Sequence, residues 1–284
     1  MKSCIFKISM AWIFSLSSIH LYAQAIVNDA GDREKHFIYE VKQIDEFFER
    51  FNDDSNSFVR KVYANYHIRY NLNRAKLIKS LFNYETKSWS ADEIDRFVNT
   101  ATNPKNPVKL DFYSNDWYAE AQCKFQQNDG VIDVALILKI DTDSMKRSKW
   151  VITGVRSGSL KPNSAVSIKV PKNNEGKFIN PASHANNFIE LDKALGDKEN
   201  LSDYLDISFF KGTCSAGFYE AIVNDQIKFL YVKDVKFHFL QMEKWIFTVE
   251  YFPREALNSG WLISSLKNVS PAEMETYRKK LLGE

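Results

Sequence analysis

Hydrophobic side chains recur at a helical spacing near the start of the chain. Residues 35–52 place large apolar side chains every three or four positions, which is typical of an amphipathic helix. The same spacing predicts a second helix over residues 56–84. A third helix is predicted from Ser90, because Ser90 and Glu93 form a capping box in which the two side chains satisfy free backbone N–H groups.

After residue 107 the apolar spacing changes to two, which is typical of β-strands with one buried face. The sequence Asn128-Asp129-Gly130 adds the signature of a tight hairpin turn. Residues 158–182 contain three Pro and two Gly and are predicted to form a linker. The strands predicted before this linker are residues 108–113, 117–127, 131–140 and 149–155.

The second half of the chain repeats this order of elements. Phe188, Leu191 and Leu195 form a helical stripe, and further helical turns are expected after it. A last helix opens at Ser270, where a capping box coincides with a Pro at the first helical position. The strands predicted in this half are residues 227–242, 245–252 and 260–266.

The two halves also align with each other at their ends. When Trp150 is placed over Trp261, the alternating apolar residues that precede the two tryptophans fall on each other. We therefore predict an α+β fold with two domains, in which Trp150 and Trp261 are equivalent core residues. The first domain covers residues 34–157, and the second, residues 183–284, has a shorter helical part and a C-terminal helix.

This layout resembles the nuclear transport factor 2-like superfamily. The segments that carry the resemblance are residues 35–52, 113–155 and 188–266, and residues 37–52 also look like the opening of exported bacterial proteins. The resemblance implies cone-shaped domains, each with N-terminal helices packed on a curved antiparallel sheet. The superfamily includes ketosteroid isomerases, dehydratases, polyketide cyclases and non-catalytic binding modules, so the fold alone does not assign an activity.

The N-terminus carries an export pattern. Lys2 and Lys7 precede a mostly apolar run over residues 8–22, and Ala23-Gln24-Ala25 supplies the small-x-small cleavage site. We predict a signal peptide over residues 1–25 and a periplasmic or secreted mature protein. A transmembrane anchor is the alternative, but the run is shorter than the roughly 20 residues that span a bilayer. A lipoprotein is not expected, because no Cys follows the run directly.

Charge and composition exclude several partners. The 284 residues carry a net charge of +2, which Lys2 and Lys7 supply, so the predicted mature chain is balanced. Balanced charge gives no electrostatic basis for binding nucleic acid or an anionic membrane. The sequence contains no phosphate-binding Gly-rich loop and no pair of His at metal-ligand spacing, so neither a cofactor nor a metal is predicted.

Two cysteines remain after residue 25. Cys123 lies on the apolar face of an alternating segment, which favours a small core side chain over a reactive thiol. Cys214 lies in a loop-like run in the other predicted domain. A disulfide between Cys123 and Cys214 is possible in an oxidising compartment but is not favoured, because it would have to join two domains from inside one core.

Candidate functional residues cluster on the predicted second helix. Active members of the superfamily place an Asp base, often with a His or a Tyr, inside the cone, and the best candidates here are Tyr66, His67 and Tyr70. Tyr66 and Tyr70 belong to the apolar stripe, whereas His67 lies off it, which equally fits a surface side chain. Trp117 is a fourth candidate, as an aromatic ring on which a ligand stacks. Its place in the alternating apolar pattern of the predicted strand equally favours packing in the core. These four residues are the predicted site for a small apolar or aromatic-stacking ligand. The carboxylates Asp111, Asp116 and Asp133 border strands or turns, and His238 is expected to face solvent beside Lys236.

Three classes of function follow. The first is an exported, non-catalytic binding or interaction protein, whose partner is a small ligand or another envelope protein. The second is an isomerase- or dehydratase-type enzyme in the first domain, and the third is an envelope structural or surface-adhesion component. A carboxylate such as Glu120 in an open pocket would favour the enzyme. A filled cone with exposed aromatic side chains would favour the binding protein, and free edge strands would favour the structural component.

Overall fold

The computed structural model describes residues 40–65, 73–85, 87–128, 130–142, 147–160, 177–255 and 258–284. It confirms a mixed α+β architecture. In these ranges no helix has both the length and the apolar composition needed to cross a bilayer. The predicted signal peptide, residues 1–25, lies outside them, as do residues 161–176 of the predicted linker.

The N-terminal helices are short and amphipathic. Phe47 and Phe51 lie on the buried face of the first helix, and Ser90 caps the fourth by accepting a hydrogen bond from the Glu93 N–H, as its sequence predicts. The segment predicted as one helix over residues 56–84 contains two helices, with residues 66–72 outside the described ranges. The helices are α1 (Ile44–Asn52), α2 (Phe58–Asn65), α3 (Arg74–Ser80) and α4 (Ala91–Ala101).

The strands form a single antiparallel sheet in the order β3-β2-β1-β4-β5-β6. The described residues between β3 and β4 form three 3-10 segments and two helices, α5 (Leu191–Gly196) and α6 (Ser215–Val223). The helix α7 (Pro271–Leu282) follows β6 and opens with the predicted capping box. The strands are β1 (Trp117–Gln127), β2 (Gly130–Thr142), β3 (Ser148–Arg156), β4 (Lys228–Met242), β5 (Trp245–Phe252) and β6 (Gly260–Asn268).

The sheet joins the two halves of the chain, whereas the sequence predicts a separate sheet in each. β1 and β4 pair along most of their lengths at the centre, and one hydrophobic core contains residues from both halves. The physical reason is that each half leaves an edge with free backbone groups, and pairing the two edges satisfies both. The repeat is still visible, since β1 and β4 are central, β2 and β5 flank them, and β3 and β6 form the outer edges.

Residues 108–113 are not a strand, contrary to the prediction. Side chains satisfy their backbone groups in place of a neighbouring strand. Asn52 accepts a hydrogen bond from the Leu110 N–H and donates one to its carbonyl, both at 2.8 Å, and the Arg74 guanidinium donates to the carbonyl of Val108. Alternation of apolar residues therefore gives the right burial here but the wrong backbone pairing.

Aromatic side chains fill the space between the sheet and the N-terminal helices. Trp117 stacks on Phe239 with ring centroids 5.5 Å apart, and Phe47 contacts Phe239 at 5.6 Å. Trp150 packs edge-on against Trp117 at 5.2 Å. Offset and edge-to-face packing of this kind adds to the stabilisation from burial, so this face of the sheet is a packed core.

The helix α7 covers part of the opposite face. Its Leu281 and Leu282 join a second apolar cluster with Ile137 and Leu240. Arg278 fixes the helix on the sheet, because it donates hydrogen bonds to Asp116 at 2.8 Å and to the Tyr118 hydroxyl at 2.9 Å. Polar residues on this face of β1 and β4 are consequently buried.

Both outer edges of the sheet are covered by short bridges. The Trp261 N–H in β6 donates to the Val41 carbonyl at 2.8 Å, and the Trp150 N–H in β3 donates to the Ile179 carbonyl at 3.0 Å. Gly260 makes the first approach possible, since its φ is +86° and a Cβ there would overlap the Val41 carbonyl oxygen.

Candidate ligand-binding cleft

A cleft of about 580 Å³ opens where β5 separates from β4. Lys236 in β4 and Glu250 in β5 are the last paired residues, and beyond them Tyr251 of β5 pairs only with Trp261 of β6. The N-terminal half of β4 forms one wall, and residues from the start of α1 and from the 3-10 segment Pro181–Asn186 complete the lining. A concave site of this volume lies in the range that small ligands occupy.

Two bulges shape the β4 wall. Gln122 and Cys123 of β1 pair with Asp234 and Val232, so Lys233 is an extra residue, and a second extra residue follows at Leu230. Bulges re-aim side chains and are common beside functional sites. Here they keep the apolar residues Phe229, Val232 and Val235, spaced by three, on one face of the strand.

Tyr251 and Trp261 form the aromatic part of the lining. Their ring centroids are 5.4 Å apart, and the Trp261 ring also contacts Phe237 at 5.0 Å. Trp261 is only 7% exposed, whereas Tyr251 is 44% exposed. Tyr251 therefore has exposed surface, and its ring contacts the buried ring of Trp261.

The indole N–H of Trp261 differs from those of the other described tryptophans. Trp89, Trp117, Trp150 and Trp245 each donate to a protein oxygen, at 2.7, 2.8, 2.9 and 3.4 Å respectively. Trp261 has no such acceptor within the described ranges, and its nitrogen is not among the fully enclosed unpartnered atoms. Trp261 lines the cleft, so a hydrogen bond from its indole N–H to a molecule bound there would break no bond within the described part of the protein.

Charged groups of both signs line the cleft and pair with each other. Lys236 binds Glu250 at 3.1 Å, and Lys233 binds Asp234 at 3.2 Å. Gln43 and Asn187 add neutral donors and acceptors. The lining is therefore polar without a strong excess of either charge.

Glu120 is the most deeply placed carboxylate of the cleft and is 7% exposed. Its Oε1 accepts hydrogen bonds from Arg156 and Gln122, and its Oε2 accepts one from His238 Nε2 at 2.8 Å. Burial alone would raise the pKa of this carboxyl. The hydrogen bond and the nearby positive charges outweigh burial and hold the pKa below its usual range, so Glu120 is ionised.

His238 lies behind Glu120 and is 4% exposed, which corrects the expectation that it faces solvent. The alternation of β4 does place His238 opposite the apolar face, but α7 covers that side of the sheet. The Nδ1 of His238 accepts a hydrogen bond from the Tyr277 hydroxyl at 2.7 Å, because its Nε2 donates to the Glu120 carboxylate. Burial lowers the pKa of His238 and raises the pKa of Tyr277 to about 12. The imidazole of His238 and the hydroxyl of Tyr277 are therefore both uncharged.

The structure separates the residues predicted for a ligand site. Tyr66, His67 and Tyr70 lie outside the described residues, so their role stays a prediction. Trp117 is fully buried in the aromatic core, and its indole N–H donates to the Phe112 carbonyl at 2.8 Å. It is therefore a packing residue, remote from any open surface.

The other candidate residues take structural places. Trp150 is fully buried and Trp261 nearly so, and each lies near the start of an outer strand of the sheet. Cys123 and Cys214 are free thiols, and burial raises the pKa of Cys123. Among the residues with described positions, no cluster of three or more His, Cys, Asp or Glu is arranged to hold a metal ion.

Comparisons with known proteins identify no relative. No protein-family model, curated protein or solved structure matches the chain. Sequence reasoning missed the cleft because its lining comes from separate segments that only the strand order brings together. The sequence does contain one indication of the cleft, because the apolar residues of β4 depart from strict alternation where the two bulges occur.

Proposed function

We propose that this chain is an exported, non-catalytic binding protein whose ligand occupies the cleft between β4 and β5. The observation that carries the proposal is the Trp261 indole N–H, a hydrogen-bond donor with no acceptor within the described ranges, at a cavity of small-ligand size. A ligand acceptor would supply the partner that the other described tryptophans find within the protein.

The proposal of export rests on the sequence. Lys2, Lys7, the apolar run and Ala23-Gln24-Ala25 support a cleaved signal peptide and a periplasmic or secreted product without a lipid anchor. The compartment suits the free thiol of Cys123, whose buried position protects it from oxidation.

The absence of catalysis is supported by the state of Glu120 and His238. Both oxygens of Glu120 already accept hydrogen bonds, and both ring nitrogens of His238 are engaged. A general base is most efficient when its pKa lies near the working pH. Glu120 has a lowered pKa, which makes its carboxylate a weak base.

A ligand screen by thermal denaturation tests the proposal. The full mature protein is heated with small molecules of several chemical classes, and ligands that raise the melting temperature are measured again with Trp261→Phe. The variant keeps a six-membered aromatic ring but loses the pyrrole ring that carries the N–H donor, so it should bind less tightly. Trp89→Phe is the matched control, because that indole donates to the Asn83 carbonyl outside the cleft. Equal loss in both variants would contradict the site.

An isomerase- or dehydratase-type enzyme is the second candidate function. One observation favours it, namely that Glu120 lines the cleft and is hydrogen-bonded to His238. The test is turnover of any bound ligand, followed by NMR. Product formation that disappears in Glu120→Gln, while binding persists, would replace the non-catalytic proposal with this one.

We also propose that the two halves descend from a repeated α+β unit related to the nuclear transport factor 2-like superfamily. The equivalent sheet positions of β1–β3 and β4–β6 support the repeat. The N-terminal helices packed on one face of an antiparallel sheet support the relationship to the superfamily. The domain boundaries at residues 157 and 183 remain part of this proposal.

A further inference from the structure

The lining of the cleft combines paired charges with an exposed aromatic side chain, Tyr251. We propose that the cleft binds a neutral saccharide, with one sugar ring stacked on Tyr251 and a hydroxyl or ring oxygen accepting from the Trp261 indole N–H. The inference rests on the proposed binding function and adds the class of ligand. It is carried by three features of the lining: balanced charge, an exposed ring on a rigid support, and an interrupted strand edge.

The charge of the lining argues against an ionic ligand. Each carboxylate that lines the cleft already has a cation, since Glu250 pairs with Lys236, Asp234 with Lys233 and Glu120 with Arg156. A cation entering the cleft would have to compete with one of these pairs, and an anion would face three carboxylates in the lining. Neutral hydroxyl groups can instead donate to the paired carboxylates and accept from amide or ammonium groups without breaking a pair.

The aromatic pair offers a stacking surface of the right kind. The Tyr251 ring is nearly half exposed, and its contact with Trp261 and the Trp261 contact with Phe237 hold it in place. The face of an aromatic ring is electron-rich, and the C–H groups on the apolar face of a sugar are slightly positive. Stacking on Tyr251 would bring the polar rim of a sugar ring near the Trp261 donor.

The shape of β4 argues against an extended peptide as the occupant. A peptide would add to the sheet by pairing with the free side of residues 228–235, for which no strand partner exists among the described residues. Bulges at Leu230 and Lys233 interrupt the regular spacing of backbone groups there. Natural sheets use bulges to prevent such pairing, so a ligand held by side chains fits the wall better than a strand.

Calorimetric titration of the mature protein tests the inference. The probes are maltose, cellobiose and N,N'-diacetylchitobiose, and the comparison probes of similar size are the zwitterionic tripeptide trialanine and the anionic citrate. We expect at least one disaccharide to bind, and Tyr251→Ala to weaken that binding about 10-fold, which corresponds to about 1.4 kcal/mol. Trp261→Phe should also weaken it. Tyr231→Ala is the matched control, since Tyr231 is also exposed on the sheet but does not line the cleft, and it should bind normally.

The outcomes separate the inference from the proposed function. If trialanine or citrate binds with the same dependence on Trp261 and no disaccharide does, the saccharide is wrong and the binding function stands. If a disaccharide binds and is cleaved by wild type but not by Glu120→Gln, the ligand class stands and the non-catalytic function is wrong. Disaccharide binding that Tyr251→Ala and Trp261→Phe leave unchanged would overturn the inference, and so would binding of none of the five probes.

Discussion

Glu120 and His238 are hydrogen-bonded at 2.8 Å although 118 residues separate them along the chain. Glu120 belongs to β1 and His238 to β4, the two central strands, so the contact joins the two halves of the molecule. The Tyr277 hydroxyl of α7 completes the cluster from the opposite side of the imidazole. The ionisation of this cluster is therefore coupled to the packing of both halves.

This coupling predicts that the protein loses stability in mild acid. The native pKa of His238 is lowered by burial, so the unfolded state binds a proton more readily as the pH falls through about 6.5. Stability is lost on the acidic side wherever the unfolded state binds more protons. The lowered pKa of Glu120 also makes the folded protein less stable in acid, and this effect begins as the pH falls below about 4.5.

Urea denaturation at pH 7.5, 6.5 and 5.5 measures this effect. We expect the free energy of unfolding of the wild type to fall across the series, and His238→Gln to show a smaller fall. The variant has a lower stability at every pH, so the dependence on pH is the quantity compared. An unchanged dependence in His238→Gln would show that another group controls acid stability.

The aromatic core predicts a large cost for shortening Trp150. The side chain is fully buried, packs against Trp117 and Phe188, and donates its N–H to the Pro181 carbonyl. Trp150→Ala should lower the free energy of unfolding by about 3–5 kcal/mol. Tyr113→Ala is the control, since Tyr113 is 58% exposed and should cost less than about 1 kcal/mol. A loss of less than about 1 kcal/mol in Trp150→Ala would contradict the packing described for the core.

Local patterns predict most of this fold because its strands have one apolar face. The expected strands 117–127 and 245–252 agree with the structure at both ends, and the capping box at Ser270 forms as predicted. The pairing of β1 with β4 was not predictable in the same way. Alternation reports which face of a strand is buried, but it contains no information about which distant strand satisfies the backbone on either side.

The edge of β6 predicts a strong preference for glycine at residue 260. The positive φ and the nearby Val41 carbonyl leave no room for a Cβ, so Gly260→Ala should destabilise the protein by more than about 1 kcal/mol. Gly158→Ala is the matched control, because no atom lies within 4 Å of its added Cβ. Thermal denaturation of the two variants checks the difference, and equal melting temperatures would contradict the close approach of Val41 to β6.

The export pattern predicts that the mature protein begins at Ile26. Signal peptidase cleaves after a small-x-small sequence, which here is Ala23-Gln24-Ala25. Mass spectrometry of the protein purified from the periplasm or the medium measures its N-terminus directly. Recovery of the chain with residues 1–25 attached, or only from the inner membrane, would contradict export with cleavage.

The cleft illustrates where sequence reasoning stops. Trp261 is recognisable as a core tryptophan from the repeat, but the availability of its N–H depends on β5 leaving β4 after Glu250. His238 is recognisable as lying opposite the apolar face, but its burial depends on α7, which follows it by more than 30 residues. Both properties arise from tertiary packing, which no local spacing encodes.

The most direct test of the ligand site is the indole ¹⁵N–¹H NMR signal of Trp261. Its signal is assigned from the one that Trp261→Phe removes, and it is followed while disaccharide is added. We predict that this signal moves in a saturable way, while the signals of Trp89, Trp117, Trp150 and Trp245, whose N–H groups already have protein acceptors, stay in place. A saturable response at any of those four with none at Trp261 would contradict the cleft as the binding site.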